Sequence, residues 1–186
     1  MYKRQLYSAE RMTELPLGLI GVAIGTVILP SLSARHAEQD QAKFKSMIDW
    51  AAKIIMLVGI PSSIALFMLS TPIIQALFQR GEFTLEDTQM TALALQCMSA
   101  GVISFMLIKV FAPGFYAQQD TKTPVRVGLM AVAANAILNV VFIGFFKLID
   151  WHAEHMALAL ASSGSALVNA GTVSYTHLTL PTKRIV

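Results

Sequence analysis

The stretch LPLGLIGVAIGTVILPSL, residues 15–32, contains no charged side chain over eighteen positions. A bilayer core about 30 Å thick is crossed by about 20 mostly apolar residues in a helix, so this run reads as a membrane helix. Working outward, WAAKIIMLVGIPSSIALFMLSTPIIQALF at 50–78 reads as a second span, long enough to tilt, with Pro61 and Pro72 expected to kink it. A third covers about 90–116, a fourth 125–146, and a fifth begins at Met156 with MALALASSGSALVNAGT. The strands of a membrane β-barrel alternate apolar and polar residues over about ten positions, and these runs do not. The expected fold class is all-α, a polytopic membrane helical bundle of about five helices.

Composition leads to the same place. The 186 residues are 55% hydrophobic and 13% charged, where a soluble domain carries roughly 25% charged. With a mean hydropathy of +0.59, the chain has too few charged groups to clothe a water-soluble core, so lipid must cover much of it. The formal net charge is +3, but the basic residues are scattered singly and form no stripe suited to nucleic acid. Cys97 is the single cysteine, which excludes a disulfide framework and a Cys-based metal site. No nucleophile elbow, phosphate loop or HExxH motif is present, and no enzymatic activity is expected.

The ends read differently. MYKRQ at 1–5 is the translation of GTGTATAAGAGACAG started at GTG, and VSYTHLTLPT at 173–182 fits GTCTCTTATACACATCTGACGCTGCCGACG. The first DNA string is complementary to the start of the second, as the flanks of an insert between transposon-type sequencing adapters are. Residues 1–5 and 173–186 are therefore expected to be adapter-derived, with 6–172 as part of a transmembrane lobe from a longer chain. Lys3, Arg4, Lys183 and Arg184 belong to those ends, which leaves 10 basic against 11 acidic side chains between them.

Orientation follows from the connectors. SARHAEQDQAKFK at 33–45 carries Arg35, Lys43 and Lys45, and AQQDTKTPVR at 117–126 carries Lys122 and Arg126. FQRGEFTLEDT at 78–88 has one arginine against three acids, and KLIDWHAEH at 147–155 has one lysine against two. The first and third connectors are expected in the cytoplasm and the other two outside, as an unbroken series of spans requires.

Few residues carry chemistry. Gly18, Gly21 and Gly25 lie on the first helix; the Gly21 to Gly25 spacing suits close helix packing, with Pro16 and Pro30 leaving room for a hinge. Arg11 either snorkels at an interface or faces a cavity, where a planar guanidinium can grip a phosphate through paired hydrogen bonds. Glu10 and Glu14 are its candidate ion-pair partners. Asn135 and Asn139 share one helix face and read either as interhelical hydrogen-bonding groups or as a cation site of amide oxygens. Ser162, Ser163 and Ser165 either face them or serve as small packing residues. Lys109 snorkels or contributes to substrate binding. Asp150, His152, Glu154 and His155 form a polar loop cluster without a recognised metal-ligand spacing.

YSAERMTELPLGLIGVAIGTVILPSLS, then LFQRGEFT, then KVFAPGFYAQQDTKTPVRV resembles the lipid II flippase family, called MurJ or MviN, within the superfamily of polysaccharide and multidrug exporters. The resemblance covers essentially all of 6–172. It implies fourteen membrane helices in two lobes, of which this chain covers the eighth to the start of the twelfth. It further implies a bacterial inner-membrane protein that carries the undecaprenyl-pyrophosphate-linked peptidoglycan precursor, lipid II, by alternating access through a cationic cavity. Arg11 matches a cavity arginine of the family; Glu10, Glu14 and Lys109 are its candidate supporting residues on the reading of the residues alone. Some members are understood to bind sodium near the positions of Asn135, Asn139 and Ser162, although Asn139 stands where a carboxylate can occur. No cofactor is expected, and coupling to sodium or to the membrane potential stays open. The competing readings are an exporter of polysaccharide or drugs from the same superfamily, and a membrane glycosyltransferase or polymerase, for which the loops are short.

Overall fold

The computed structural model describes residues 2–80, 83–148 and 154–179, and every regular element among them is helical. In chain order these are α1 (Tyr2–Pro16), a π-helical turn (Leu17–Val22), α2 (Ala23–Ala37), α3 (Gln41–Met68), α4 (Ser70–Phe78), α5 (Leu85–Ser99), α6 (Val102–Ala117), α7 (Lys122–Leu148) and α8 (Glu154–Thr179). Four stretches are long and apolar enough to span a bilayer: Leu6–Ala37, Gln41–Met68, Lys122–Lys147 and Met156–Tyr175. Helices α5 and α6 make a fifth if taken as one span bent by 45°. The chain is a multi-pass membrane protein.

The first span is longer than its uncharged centre. Helix α1 carries it back through Glu10, Arg11 and Glu14, and the π turn joins α1 to α2. Pro16 has no N–H to donate to the Met12 carbonyl, and the helix widens in the turn that follows. The wider turn holds about one extra residue, which shifts the buried stripe. In α1 the stripe runs Ser8, Ala9, Met12, Thr13; an unbroken 3.6-residue period would bring it to 20, 23 or 24, 27 and 31. Instead Gly21, Ile28 and Leu32 are buried and Val27 is 73% exposed.

The second expected span is two helices. α3 passes Pro61 unbroken and ends at Met68, and α4 starts at Ser70. Pro72 explains the break: it cannot donate to the Met68 carbonyl, yet it fits the first turn of a new helix, where the missing N–H is no loss. Ser70, fully buried, donates to the Phe67 carbonyl (3.1 Å) and accepts from Gln96 Nε2 (2.9 Å), which ties the break to α5.

The third span bends where Gly101 meets α8. A Cβ added there would lie 3.0 Å from both Cα and Oγ of Ser163, so a side chain would force the helices apart. The fifth helix continues beyond 172 to Thr179, with Val173 buried in the core.

The first and third connectors are built alike. Gln39 and Gln119 take left-handed φ of 57° and 58°, and each is followed by an aspartate. Asp40 N–H donates to the Arg35 carbonyl and Gln39 N–H to His36; Asp120 N–H donates to Phe115 and Gln119 N–H to Tyr116. These are paired Schellman closures. Each aspartate then caps the next helix, Asp40 accepting from Lys43 N–H at 3.0 Å and Asp120 from Lys122 and Thr123 N–H at 3.1 Å.

Two cores hold the bundle. One gathers Leu32, Phe44, Phe115, Ala117 and Val127 beside these two connectors and runs inward through Ile55 and Met106. The other joins Ala9 and Met12 to Ile74, Leu95 and Ala159, with Phe78 and Phe83 packed on it beside the second connector. The chain thus places connectors one and three at one end and the second connector at the other, as the charge pattern requires.

Candidate functional site

Helix side chains lean toward the N-terminus of their own helix. Arg11 accordingly reaches back one turn to Tyr7. Its Nε donates to the Tyr7 hydroxyl at 3.0 Å, a terminal guanidinium nitrogen donates to the same oxygen, and Cζ stands 4.9 Å from the ring centroid. Among the described residues no ion pair joins Arg11 to Glu10 or Glu14, contrary to the expected pairing. The reason is directional: Glu14 lies on the C-terminal side, and Tyr7 occupies the guanidinium from the other. Both Arg11 and Tyr7 are exposed on the surface of α1.

Glu10 and Glu14 have a different neighbourhood. Four residues apart, they share a face of α1 and line a cavity of about 380 Å³ with Thr13, Asn135, Ser162 and Ser165, closed on its apolar side by Leu17, Met98 and Phe105. Thr13 Oγ1 is satisfied by the Glu10 carbonyl at 2.7 Å. Asn139 Nδ2 donates to Asn135 Oδ1 at 2.8 Å, Asn135 Nδ2 donates to Ser165 Oγ at 3.1 Å, and Ser165 donates to the Ser162 carbonyl at 2.9 Å. The relay points every donor along the chain of side chains. At its head, Asn139 Oδ1 is buried with no hydrogen-bond partner. Two carboxylates, the Asn135 amide and the hydroxyls of Ser162 and Ser165 make the cavity rich in acceptors, suited to a cation or to a donor-bearing group.

The structure therefore regroups the sequence candidates. Glu10, Glu14, Asn135 and Ser162 come together, with Asn139 one hydrogen bond behind. Arg11 does not line this cavity. Neither does Lys109, an exposed residue of α6 whose stem packs on the first helix: a Cβ added at Gly21 would lie 3.5 Å from its Cγ. Ser163 serves packing too, donating to the Cys97 carbonyl at 2.7 Å. The side chains of Asp150, His152, Glu154 and His155 lie outside the described residues. Among the described residues no three His, Cys, Asp or Glu side chains cluster as metal ligands. Sequence reasoning missed Tyr7 as the partner of Arg11 and the carboxylates as partners of the asparagines. The four-residue spacings of Tyr7 and Arg11 and of Glu10 and Glu14 were the available signals.

Comparison with known proteins gives one answer. The family profile described as "Lipid II flippase MurJ" matches residues 4–179. The chain is 44% identical over 164 residues to a "Probable lipid II flippase MurJ" of Vibrio cholerae serotype O1, a match covering 88% of this chain and 30% of the relative. It is 43% identical over 171 residues to the "Probable lipid II flippase MurJ" of Haemophilus influenzae, covering 89% and 32%. Against the "Lipid II flippase MurJ" of Burkholderia cenocepacia the identity is 40% over 162 residues. A solved structure titled "Lipid II flippase MurJ, inward closed conformation" superposes with a TM-score of 0.82 at 28% identity, covering 96% of this chain and 36% of that one. The chain thus spans about a third of the length of the relatives it matches.

Proposed function

Since the chain belongs to the lipid II flippase MurJ family, we propose that it forms part of one lobe of a flippase that moves lipid II across the bacterial inner membrane by alternating access. The observation that carries this reading is Arg11. A permanent cation on a membrane helix is costly unless it faces water or an anionic ligand. Here it stays clear of the nearby carboxylates and is steadied by the Tyr7 ring and hydroxyl. A guanidinium so oriented keeps donors free for a pyrophosphate. The acceptor-rich cavity of Glu10, Glu14 and Asn135 is a separate site and fits the coupling cation, sodium being the candidate.

The test is complementation with the full-length gene product in cells depleted of their own flippase. Arg11→Ala is expected to abolish rescue while reaching the membrane at normal levels, and Tyr7→Phe, which keeps the ring and removes the hydroxyl, to weaken it. Full rescue by Arg11→Ala removes Arg11 from the mechanism.

A further inference from the structure

A second and larger cavity, about 880 Å³, lies between α2 and α3, away from Arg11 and from the acceptor-rich site. Its lining changes in order along its length. At one end it is apolar, made by Ile24, Val27 and Ile28 from α2 and by Met47 and Trp50 from α3. Next come two hydroxyls, Ser31 and Ser46, one from each wall. At the far end, beside the first connector, stand two cations, Arg35 and Lys43. Ala23 to Arg35 is twelve residues, about 18 Å of helix, close to the roughly 15 Å depth of one hydrocarbon leaflet. The sequence apolar, hydroxyl, cationic is complementary to a phospholipid lying acyl chain first, glycerol ester next, phosphate last.

We propose that this groove seats a resident anionic phospholipid of the leaflet facing the first connector, its phosphate between Arg35 and Lys43 and an acyl chain against Val27 and Trp50. The site is independent of the transport reading. Arg35 is paired with Glu38 at 2.7 Å and Lys43 with Asp40 at 2.9 Å, with the two cationic side chains 37% and 65% exposed. Surface pairs of this kind are weak. The guanidinium and the ammonium also keep further N–H donors beyond those two bonds. A phosphate can therefore join both pairs without displacing them.

The test places a benzoylphenylalanine at position 27 of the full-length gene product, in bilayers of equal phosphatidylglycerol and phosphatidylcholine with a trace of undecaprenyl pyrophosphate. Photocrosslinked adducts are then identified by mass. Phosphatidylglycerol adducts are expected to exceed phosphatidylcholine adducts about fivefold, the factor of one basic side chain at an anionic surface. Arg35→Gln with Lys43→Gln should bring the two lipids to parity. The charge-keeping pair Arg35→Lys with Lys43→Arg should retain the enrichment, as should Lys53→Gln, an exposed residue of α3 outside the groove. Parity in the unaltered chain overturns the proposal. So does a dominant adduct to undecaprenyl pyrophosphate, to another segment of the chain or to a second copy.

Discussion

Gly25 is where a single methyl group matters most. A Cβ on it would lie 2.8 Å from the Lys109 carbonyl oxygen, with Pro113 Cγ at 4.0 Å. That carbonyl is free to approach because Pro113, four residues on, has no N–H to bond it. Gly25→Ala is therefore expected to lower stability by about 1–3 kcal/mol, as overpacking does, measurable as a fall in thermal midpoint in detergent; an unchanged midpoint would refute the close crossing of α2 and α6. Gln39 and Gln119 present the opposite case, side chains at left-handed positions that glycine occupies without strain. Gln119→Gly should raise stability by about 1 kcal/mol, and the same measurement reads it. At Asp40 the side-chain bond with Lys43, and then the Lys43 backbone N–H, hold the carboxyl below the usual carboxylate range. A depressed value means that its contribution is full above the ordinary carboxylate pKa and is lost as the pH falls through the lowered one. Hydrogen-exchange protection at the start of α3 should drop in that acid window, and Asp40→Asn should remove the dependence while keeping the cap. The Gly21 to Gly25 spacing announces close packing in the sequence itself. The left-handed glutamines do not announce themselves, since glutamine carries no preference for that conformation.

At the scale of the element, boundaries came from chemistry that a hydropathy profile averages away. The apolar runs located the spans, but the run at 50–78 hid the end of α3, because Leu69 and its neighbours are as apolar as a continuous helix. Only the position of Pro72 relative to the Met68 carbonyl distinguishes a kink from a restart. Helix α5 begins with a clearer sign: Thr84 accepts from Asp87 N–H at 3.2 Å and Asp87 accepts from Thr84 N–H at 3.2 Å, a reciprocal capping box. Thr84→Ala should cost about 1 kcal/mol and fray the first turn of α5, seen as faster amide exchange there with little change in α8. The grouping of Glu10 and Glu14 with Asn135 was not legible, because helix spacing assigns a face and does not say which distant helix that face meets.

At the scale of the whole molecule, charge alone foretold which connectors share an end, and the two cores bear it out for the three connectors whose flanks are described. Which end faces the cytoplasm is decided by labelling. In the full-length protein with Cys97→Ala, Glu38→Cys and Gln118→Cys should resist an impermeant maleimide in intact spheroplasts, and Gln79→Cys should react; the reverse pattern would invert the topology. The π turn after Pro16 has a broader bearing. It acts as a phase slip between two halves of one rod: the half before it keys into α5, the half after it into α6 and α3. Taking out one residue there, for instance Gly18, which no side chain crowds, would close the turn to an ordinary α-helix and bring Ile28 and Leu32 to the positions that an unbroken period buries. One residue added between the turn and Gly25 would instead rotate the rest of α2 by roughly 100°, swinging Ile28 and Leu32 into lipid and carrying the Gly25 notch away from the Lys109 carbonyl. In the full-length protein the deletion at the turn should be tolerated and the insertion after it lethal, and the deletion of Gly18 should rescue the insertion by resetting the thread.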